Sequence, residues 1–307
     1  AEFSPDGKKI ITVSGDKTAK IWDVSTGEIL FDLSGEDGHT RELTYAQFSP
    51  VCADDSIGGK RIVTASKDGS AKIWDGANGN YLNEVRHSSD VNSVQFSPDG
   101  KFIVTASADT TTIMWNVETA KYRFEFNGHK RSVISAQFSP DGKLLVTASL
   151  DSTAILWYVD KSIDSLRFIT RLTGHQRELY SAEFSPDGKK IVTCSKGRNA
   201  KIWEATTGKF ERNLIGHKNQ IMSAHFSPDS KTIVTASYDN TAKTWDAITA
   251  RRLTTLVGRT SLTHSTQFSP DGNFMVTSSD DRTAKIWDAL TGKLIMSLNR
   301  HSGPVYY

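Results

Sequence analysis

Val63-Thr64-Ala65-Ser66-Lys67-Asp68-Gly69-Ser70-Ala71-Lys72-Ile73-Trp74-Asp75 is one of seven near-copies of a single phrase, each closed by a tryptophan. The tryptophans are Trp22, Trp74, Trp115, Trp157, Trp203, Trp245 and Trp287, spaced by 52, 41, 42, 46, 42 and 42 residues. A second phrase, Phe-Ser-Pro-Asp-Gly or a close variant, precedes each copy, starting at Phe3, Phe48, Phe96, Phe138, Phe184, Phe226 and Phe268. Self-similarity at a fixed period marks a repeat architecture, in which each unit buries its apolar faces against its neighbours.

Each unit reads as four short strands. The first ends at the Phe, as in Val133-Ile-Ser-Ala-Gln-Phe138. Ser-Pro-Asp-Gly follows as a turn: Pro presets φ, Asp bonds the local backbone and Gly accepts a positive φ. Leu144-Leu-Val-Thr147 is β-rich and gives the second strand. A tight turn carries the Asp, the third strand ends in Trp, and a fourth leads to the next Gly-His. Short strands with turn signals at regular spacing predict an all-β fold, and four strands per unit repeated seven times predict a β-propeller. The pattern also continues through the chain ends. With the end joined to the beginning, His301 stands nine positions before Phe3, as His129 does before Phe138. We therefore expect a closed seven-bladed ring of antiparallel blades, with the termini meeting in the innermost strand of blade one. The expected domain is single, 1–307. Blade one takes 1–38 with 301–307, and the others are 39–86, 87–128, 129–174, 175–216, 217–258 and 259–300.

The order Gly-His, strand, Ser-x-Asp, Trp-Asp resembles the WD-repeat β-propeller family along the whole chain. The Trp-Asp dipeptide stands at Trp22-Asp23, Trp74-Asp75, Trp245-Asp246 and Trp287-Asp288, and is altered to Trp115-Asn116, Trp157-Tyr158 and Trp203-Glu204. The phrasing is similar to bacterial and cyanobacterial members, which often occur inside large regulatory proteins.

Composition narrows the function. The 307 residues hold 37 Lys and Arg against 35 Asp and Glu, for a net charge of +2, so no nucleic-acid footprint is expected. No apolar run approaches the roughly 20 residues of a membrane helix, and no signal peptide is visible. The sequence starts at Ala1 within a repeat, so a native start upstream is expected. Two cysteines, Cys52 and Cys194, give no disulfide framework or zinc site and fit a reducing, cytoplasmic compartment.

A Ser, a His and an Asp recur in most repeats and look like a hydrolase triad. The sets are Ser14, Asp16 and His301; Ser66, Asp68 and His39; Ser107, Asp109 and His87; Ser149, Asp151 and His129; and Ser237, Asp239 and His217. The family resemblance instead assigns them, with Trp22, Trp74, Trp115, Trp157 and Trp245, to structural hydrogen-bonded tetrads. There His links Asp and Ser while Ser reaches the indole N–H. A buried indole needs an acceptor and a buried carboxylate needs partners. Copy number supports this reading, because one active site needs one set; the chain is expected not to be an enzyme. Two sets are broken: Gly197 replaces Asp in the fifth, and Arg259 replaces His in the seventh. Gly197 reads as drift in a redundant ring, or as a local site released from structural duty. Only His225 and His264 lie outside the repeat positions, so no metal and no cofactor are expected. The lysines before each Trp (Lys20, Lys72, Lys201, Lys243, Lys285) read as a solvated face.

Function should sit where the repeats differ. The family places three positions per blade on the rim called the top: three and five residues after the His, and the residue before the Asp. Blades two and three are polar there, with Glu42 and Asp90 among them. The others offer Ile134, Leu150, Tyr180, Met222, Tyr238, Leu262, His264 and Tyr306. Clustered aromatic, Met and aliphatic residues mark interaction sites. The expected function is a non-catalytic protein-interaction scaffold or sensor, a monomeric ring forming one module of a larger regulator, with a protein or peptide partner on that rim and neither nucleic acid nor membrane. Alternatives are a small-molecule-binding or enzymatic propeller with its site in the central channel, and an engineered or permuted ring without a dedicated partner.

Overall fold

A computed structural model describes residues 1–51, 59–160, 165–258, 261–299, 303 and 305. They form seven four-stranded antiparallel sheets, each with its strands in chain order, and no helix. The fold is all-β, a seven-bladed β-propeller with four strands per blade. No helix of the described residues is long and apolar enough to cross a membrane. His301, Pro304, Tyr306 and Tyr307, on which the expected junction of the termini rests, lie outside the described residues, as do Cys52 and Arg259. At the start, Glu2–Phe3 does take the first-strand place of sheet 1 and pairs with Ile11 and Ile10.

The chain divides into two compact units, 1–149 with 159–166, and 150–158 with 167–307. The first unit holds sheet 1 (Glu2–Phe3, Lys9–Val13, Ala19–Asp23, Ile29–Asp32), sheet 2 (Leu43–Phe48, Arg61–Ser66, Ser70–Asp75, Tyr81–Arg86) and sheet 3 (Val91–Phe96, Phe102–Ser107, Thr112–Asn116, Tyr122–Phe126). It also holds the first two strands of sheet 4, Val133–Phe138 and Leu144–Ser149. Its core forms between successive sheets. Ile11, Ala19 and Ile21 pack on Ile62 and Trp74, and Val63, Ala71 and Ile73 pack on Val94 and Ile103.

The second unit repeats the scheme with sheet 5 (Leu179–Phe184, Lys190–Ser195, Asn199–Glu204, Phe210–Ile215), sheet 6 (Ile221–Phe226, Thr232–Ser237, Thr241–Asp246, Arg252–Leu256) and sheet 7 (Thr263–Phe268, Phe274–Ser279, Ala284–Asp288, Leu294–Leu298). Val192, Ala200 and Ile202 pack on Ile233 and Trp245, and Val234 and Leu256 pack on Met275 and Trp287. Strands of five or six residues with β-branched centres suit these two-sided faces.

Two register shifts recur and position the site. In sheets 2 to 7 the ladder between the first and second strands slips once, leaving one first-strand residue unpaired: Thr44, Asn92, Ile134, Tyr180, Met222 and His264. A bulge re-aims the side chain of its extra residue, and these are the positions five residues after the repeat histidine, or its equivalent in sheet 7. A second slip sets the third-strand Trp opposite a fourth-strand ring. Trp74 meets Tyr81 edge-on at 5.8 Å and Trp203 meets Phe210 at 5.5 Å.

Candidate interaction rim and the hydrogen-bonded sets beneath it

In sheet 2 the Trp74 indole N–H donates to Thr64 Oγ1 (2.9 Å), and His39 Nε2 meets the same oxygen at 2.8 Å. His39 Nδ1 then reaches Asp68 Oδ2 at 2.9 Å. Sheets 3 and 6 repeat the chain as Trp115, Thr105, His87, Asp109 and as Trp245, Thr235, His217, Asp239. The residue between Trp and His is thus a threonine, where a serine was expected. Thr64 lies diagonally across the ladder from Trp74 and faces the same side of the sheet, whereas Ser66 sits at the turn. Ser66 Oγ donates to the Arg41 and Glu42 carbonyls and accepts from the Asp68 N–H, so serine ties the turn to the preceding loop. Threonine occupies this place in all seven copies (Thr12, Thr64, Thr105, Thr147, Thr193, Thr235 and Thr277), but so does serine two residues on, and recurrence alone does not separate them.

The other predicted members fall as follows. Trp22 donates to Thr12 (2.8 Å), and Asp16 holds its own turn through Thr18, with His301 outside the described residues. His129 Nε2 meets Thr147 Oγ1 at 2.8 Å, and Ser149 Oγ donates to the Arg131 carbonyl at 2.9 Å. Asp151 accepts from Thr153 and lies 3.6 Å from Arg171; Trp157, buried, has Phe168 edge-on at 5.7 Å. Ser107 and Ser237 repeat the turn role of Ser66.

Burial alone would raise the Asp68 carboxyl, but hydrogen bonds from His39, Ser70 and the Thr40 N–H outweigh it and hold the group far below the usual carboxylate range. Burial likewise would raise Asp109, but hydrogen bonds from Thr111 and the bond and charge of His87 outweigh it and take the group down to about 2. Burial lowers His87 and His217 against the pull of Asp109 and Asp239. The Asp68 and Asp109 carboxylates are held ionised by internal partners, and burial favours the neutral form of His87 and His217.

The repeated lysines are not a solvated face. Lys72, Lys243 and Lys285 are buried. Lys72 stretches over the Tyr81 ring and donates to the Asp37 carbonyl at 2.7 Å; Lys285 donates to the Gly258 carbonyl. Long apolar stems cover the sheet while the ammonium of Lys72 or Lys285 finds a carbonyl in the loop that leads into the first strand of its own repeat.

The expected rim residues stand at the Asp-turn ends of the sheets and are half-buried: Ile134 in the first unit, and Leu150, Tyr180, Met222, Tyr238, Leu262 and His264 in the second. None is among the strongly exposed apolar side chains, many of which lie on fourth strands. The fourth strand of sheet 7 is exposed throughout, and Val276 is 41% exposed where its counterpart Val234 is 0%. In the second unit the rim residues form a connected chain across three sheets. Tyr180 hydroxyl donates to Gln220 Oε1 (3.3 Å), and the Gln220 carbonyl accepts the Tyr238 N–H (3.0 Å). Asp280 Oδ1 lies 2.6 Å from His264 Nε2, which leaves His264 Nδ1 to accept from the Tyr238 hydroxyl at 3.4 Å. The Tyr238 and His264 rings also meet edge-on at 5.2 Å. Tyr180 packs on the buried cluster under sheets 5 and 6, so these aromatics are fixed in place. The polar rim of the first unit is occupied internally, with Arg41 on Asp90 at 3.1 Å and Lys67 on Glu42 at 2.5 Å. Among the described residues no group of three or more His, Cys, Asp or Glu could hold a metal ion.

Known proteins match this arrangement. The profile for the TolB beta propeller domain matches residues 74–305, and that for the WD domain, G-beta repeat, matches 1–23 and 37–75. The guanine nucleotide-binding protein subunit beta of rice (Oryza sativa subsp. japonica) is 32% identical over 123 residues, 38% of this chain and 31% of its own. Autophagy-related protein 16 of Arabidopsis thaliana is 29% identical over 126 residues, 40% of this chain and 23% of its own. The human WD repeat and SOCS box-containing protein 1 is 30% identical over 118 residues, 38% of this chain and 26% of its own. The matched part thus spans about a quarter to a third of the length of these relatives. The crystal structure of the computationally designed Ika8 protein superposes with a TM-score of 0.83 and 28% identity over 97% of this chain and 86% of that one. With both propeller-repeat profiles matched and the Trp–Thr–His–Asp chain repeated from sheet to sheet, the protein belongs to the WD-repeat β-propeller family.

Proposed function

We propose that this propeller is a non-catalytic protein-interaction module whose partner docks on the Asp-turn rim of sheets 5 to 7. The observation that supports it is the chain of Tyr180, Gln220, Tyr238, His264 and Asp280, with Met222 beside it on a bulge. Rigid, half-buried aromatics with a polar tip are what interface anchors are made of, and binding energy concentrates in a few such residues. Tyr180, Met222 and Tyr238 serve as anchors, with Leu262 as a further apolar contact of the same partner. The rice relative is named a subunit, a protein that works in an assembly, which agrees with this reading. Histidine paired with aspartate in sheets 2, 3 and 6 is structural bonding repeated, not a catalytic dyad. The His264–Asp280 pair orients Tyr238 in the same manner.

The test is affinity capture by wild type and by Tyr238→Ala, followed by titration of the captured partner. Tyr238 precedes Asp239 and takes no part in the buried set, so the sheet should stay folded. Loss of a true anchor costs about 2 kcal/mol or more, roughly thirtyfold in affinity. Lys143→Ala, in the Ser-Pro-Asp-Gly turn at the other end of its sheet, is the control. Weaker binding in the control alone would refute the rim assignment.

A further inference from the structure

We infer that sheet 5 carries a carboxylate-binding site in the place where other sheets hold their own aspartate, and that an acidic side chain of a protein partner occupies it. In sheets 2, 3 and 6 one carboxylate oxygen accepts both the histidine Nδ1 and the backbone N–H of the next residue. Asp68 takes His39 and Thr40 at 2.9 and 2.9 Å, Asp109 takes His87 and Ser88 at 2.9 and 3.1 Å, and Asp239 takes His217 and Lys218 at 2.8 and 2.9 Å. Sheet 5 has His175 and Gln176 at the two equivalent positions, so the same pair of donors, His175 Nδ1 and the Gln176 N–H, is available there. It also keeps the support beneath: Trp203 donates to Thr193 at 2.9 Å, and His175 Nε2 meets Thr193 at 2.7 Å. With the Thr193 hydroxyl hydrogen on His175 Nε2, the imidazole proton sits on Nδ1, which is the tautomer that a carboxylate at that place requires.

What sheet 5 lacks is the side chain at 197. The Gly197 N–H still donates to Ser195 Oγ (3.2 Å), as Asp239 does to Ser237 (3.1 Å), so the backbone arrives at the same place. A Cβ there would meet only Ser195 Oγ, at 3.1 Å, and the space beyond is open. Two donors converging at a half-buried place favour an acceptor that can bridge them. The surroundings favour an anion. Lys196, Arg198 and Arg177 are exposed around the site. Lys201 faces Asn213 Oδ1 at 2.7 Å, where Lys72 faces Glu84 and Lys20 faces Asp32. The adjoining acidic residue is Glu178, whose carbonyl accepts the Lys196 N–H. Carboxylate is the group that this donor pair holds in three other sheets of the same chain.

Acetate is the probe, with chloride at equal ionic strength as control, read by ¹⁵N resonances of the Gln176 amide and the His175 imidazole. Wild type and Gly197→Ala should show saturable shifts of both. Gly197→Asp places its own carboxylate in the site and should weaken acetate binding by about tenfold or more. Shifts that do not saturate, that chloride reproduces, or that persist in Gly197→Asp overturn the site. Should Gly197→Asp not fold, Arg198→Ser carries the test: acetate binding weakened at least about threefold supports the site, and an unchanged titration overturns it. The partner half rests on the rim reading above and is tested separately with N-acetyl-aspartyl amide. Acetate bound without N-acetyl-aspartyl amide would overturn the partner half and leave a small-anion site.

Discussion

Sheets 2 and 5 bury the same indole in the same way and then part company one turn above it. Trp74 and Trp203 each donate to a threonine at 2.9 Å, and each threonine meets a histidine within 0.1 Å of the same distance, 2.8 and 2.7 Å. Above that, Asp68 gathers four donors and its turn closes with Gly69 at φ +81°, donating to the Ser66 carbonyl. Sheet 5 has Gly197, and Arg198 takes no positive φ. The Trp–Thr–His part therefore forms without the carboxylate, and the carboxylate's contribution is to shape the turn and tether it to the loop before the first strand. Blade folding and turn shaping are separable, which is why one copy can lose the second and keep the first.

The largest effect should come from the shared part. Thr64→Val and Thr193→Val keep the shape and strand preference but orphan an indole N–H and a histidine nitrogen in each sheet. Unsatisfied buried groups cost roughly 1–3 kcal/mol each, so denaturant unfolding should show losses of about 2–6 kcal/mol, similar in the two sheets. Ser66→Ala removes turn bonds only and should cost about 1 kcal/mol. A Ser66→Ala loss as large as that of Thr64→Val would return serine to the centre of the set and break the comparison.

Asp68→Ala comes next. It should make sheet 2 resemble sheet 5, at about 1–3 kcal/mol for the stranded donors of His39, Thr40 and Ser70. Amide exchange gives the local reading. The Thr40 and Ser70 amides should lose protection in the variant, while the Trp74 indole N–H keeps it. Loss of indole protection as well would mean that carboxylate and indole act as one unit, contrary to what sheet 5 shows.

The blade count, strand order and propeller class were legible because period and turn chemistry repeat seven times, so errors in one copy are corrected by six. The serine assignment failed for a different reason. Ser66, Asp68 and His39 have the right chemistry to bond one another, and nothing in a linear phrase says that Thr64, two residues earlier on the strand, lies under the indole while Ser66 has reached the turn. The lysines misled in the same way: alternation put them on the polar side, but Lys72 and Lys285 lay their stems along the sheet and meet loop carbonyls, while Lys20 and Lys201 face side chains of the fourth strand. Tyr180, Met222 and His264 were picked by spacing from the histidine. The bulge that sets each of them off from its ladder could not be read without the register.

Acid titration separates the sheets further. Burial, helped by the Lys201 charge, lowers His175 to about 3 from an ordinary 6.5. The unfolded chain then binds a proton that the folded one refuses, so stability falls as pH drops from about 6.5 toward 3 and changes no further below that. In sheet 3 burial also lowers His87, but Asp109 pulls it back. Asp109 itself, at about 2, loses its contribution only as pH falls from about 3.8 toward 2. His175→Gln should therefore flatten the stability profile between pH 6.5 and 4 more than His87→Gln does. Equal slopes in the two variants would remove the electrostatic difference between the sheets.

The smallest effect tests the cation behind His175. In sheets 1 and 2 the third-strand lysine faces an acid on the fourth strand, but Lys201 faces Asn213. Asn213→Glu restores the pattern at an exposed edge, and a cross-strand ion pair there is worth roughly 0.2–1 kcal/mol. The more telling readout is the imidazole. Burial is the larger cause of the low His175 pKa and Lys201 the second, so a carboxylate on Lys201 should raise that pKa while the Trp203 indole resonance stays in place. An unmoved His175 titration in a folded Asn213→Glu variant would assign the whole shift to burial, and the charge of Lys201 would drop out of the account of sheet 5.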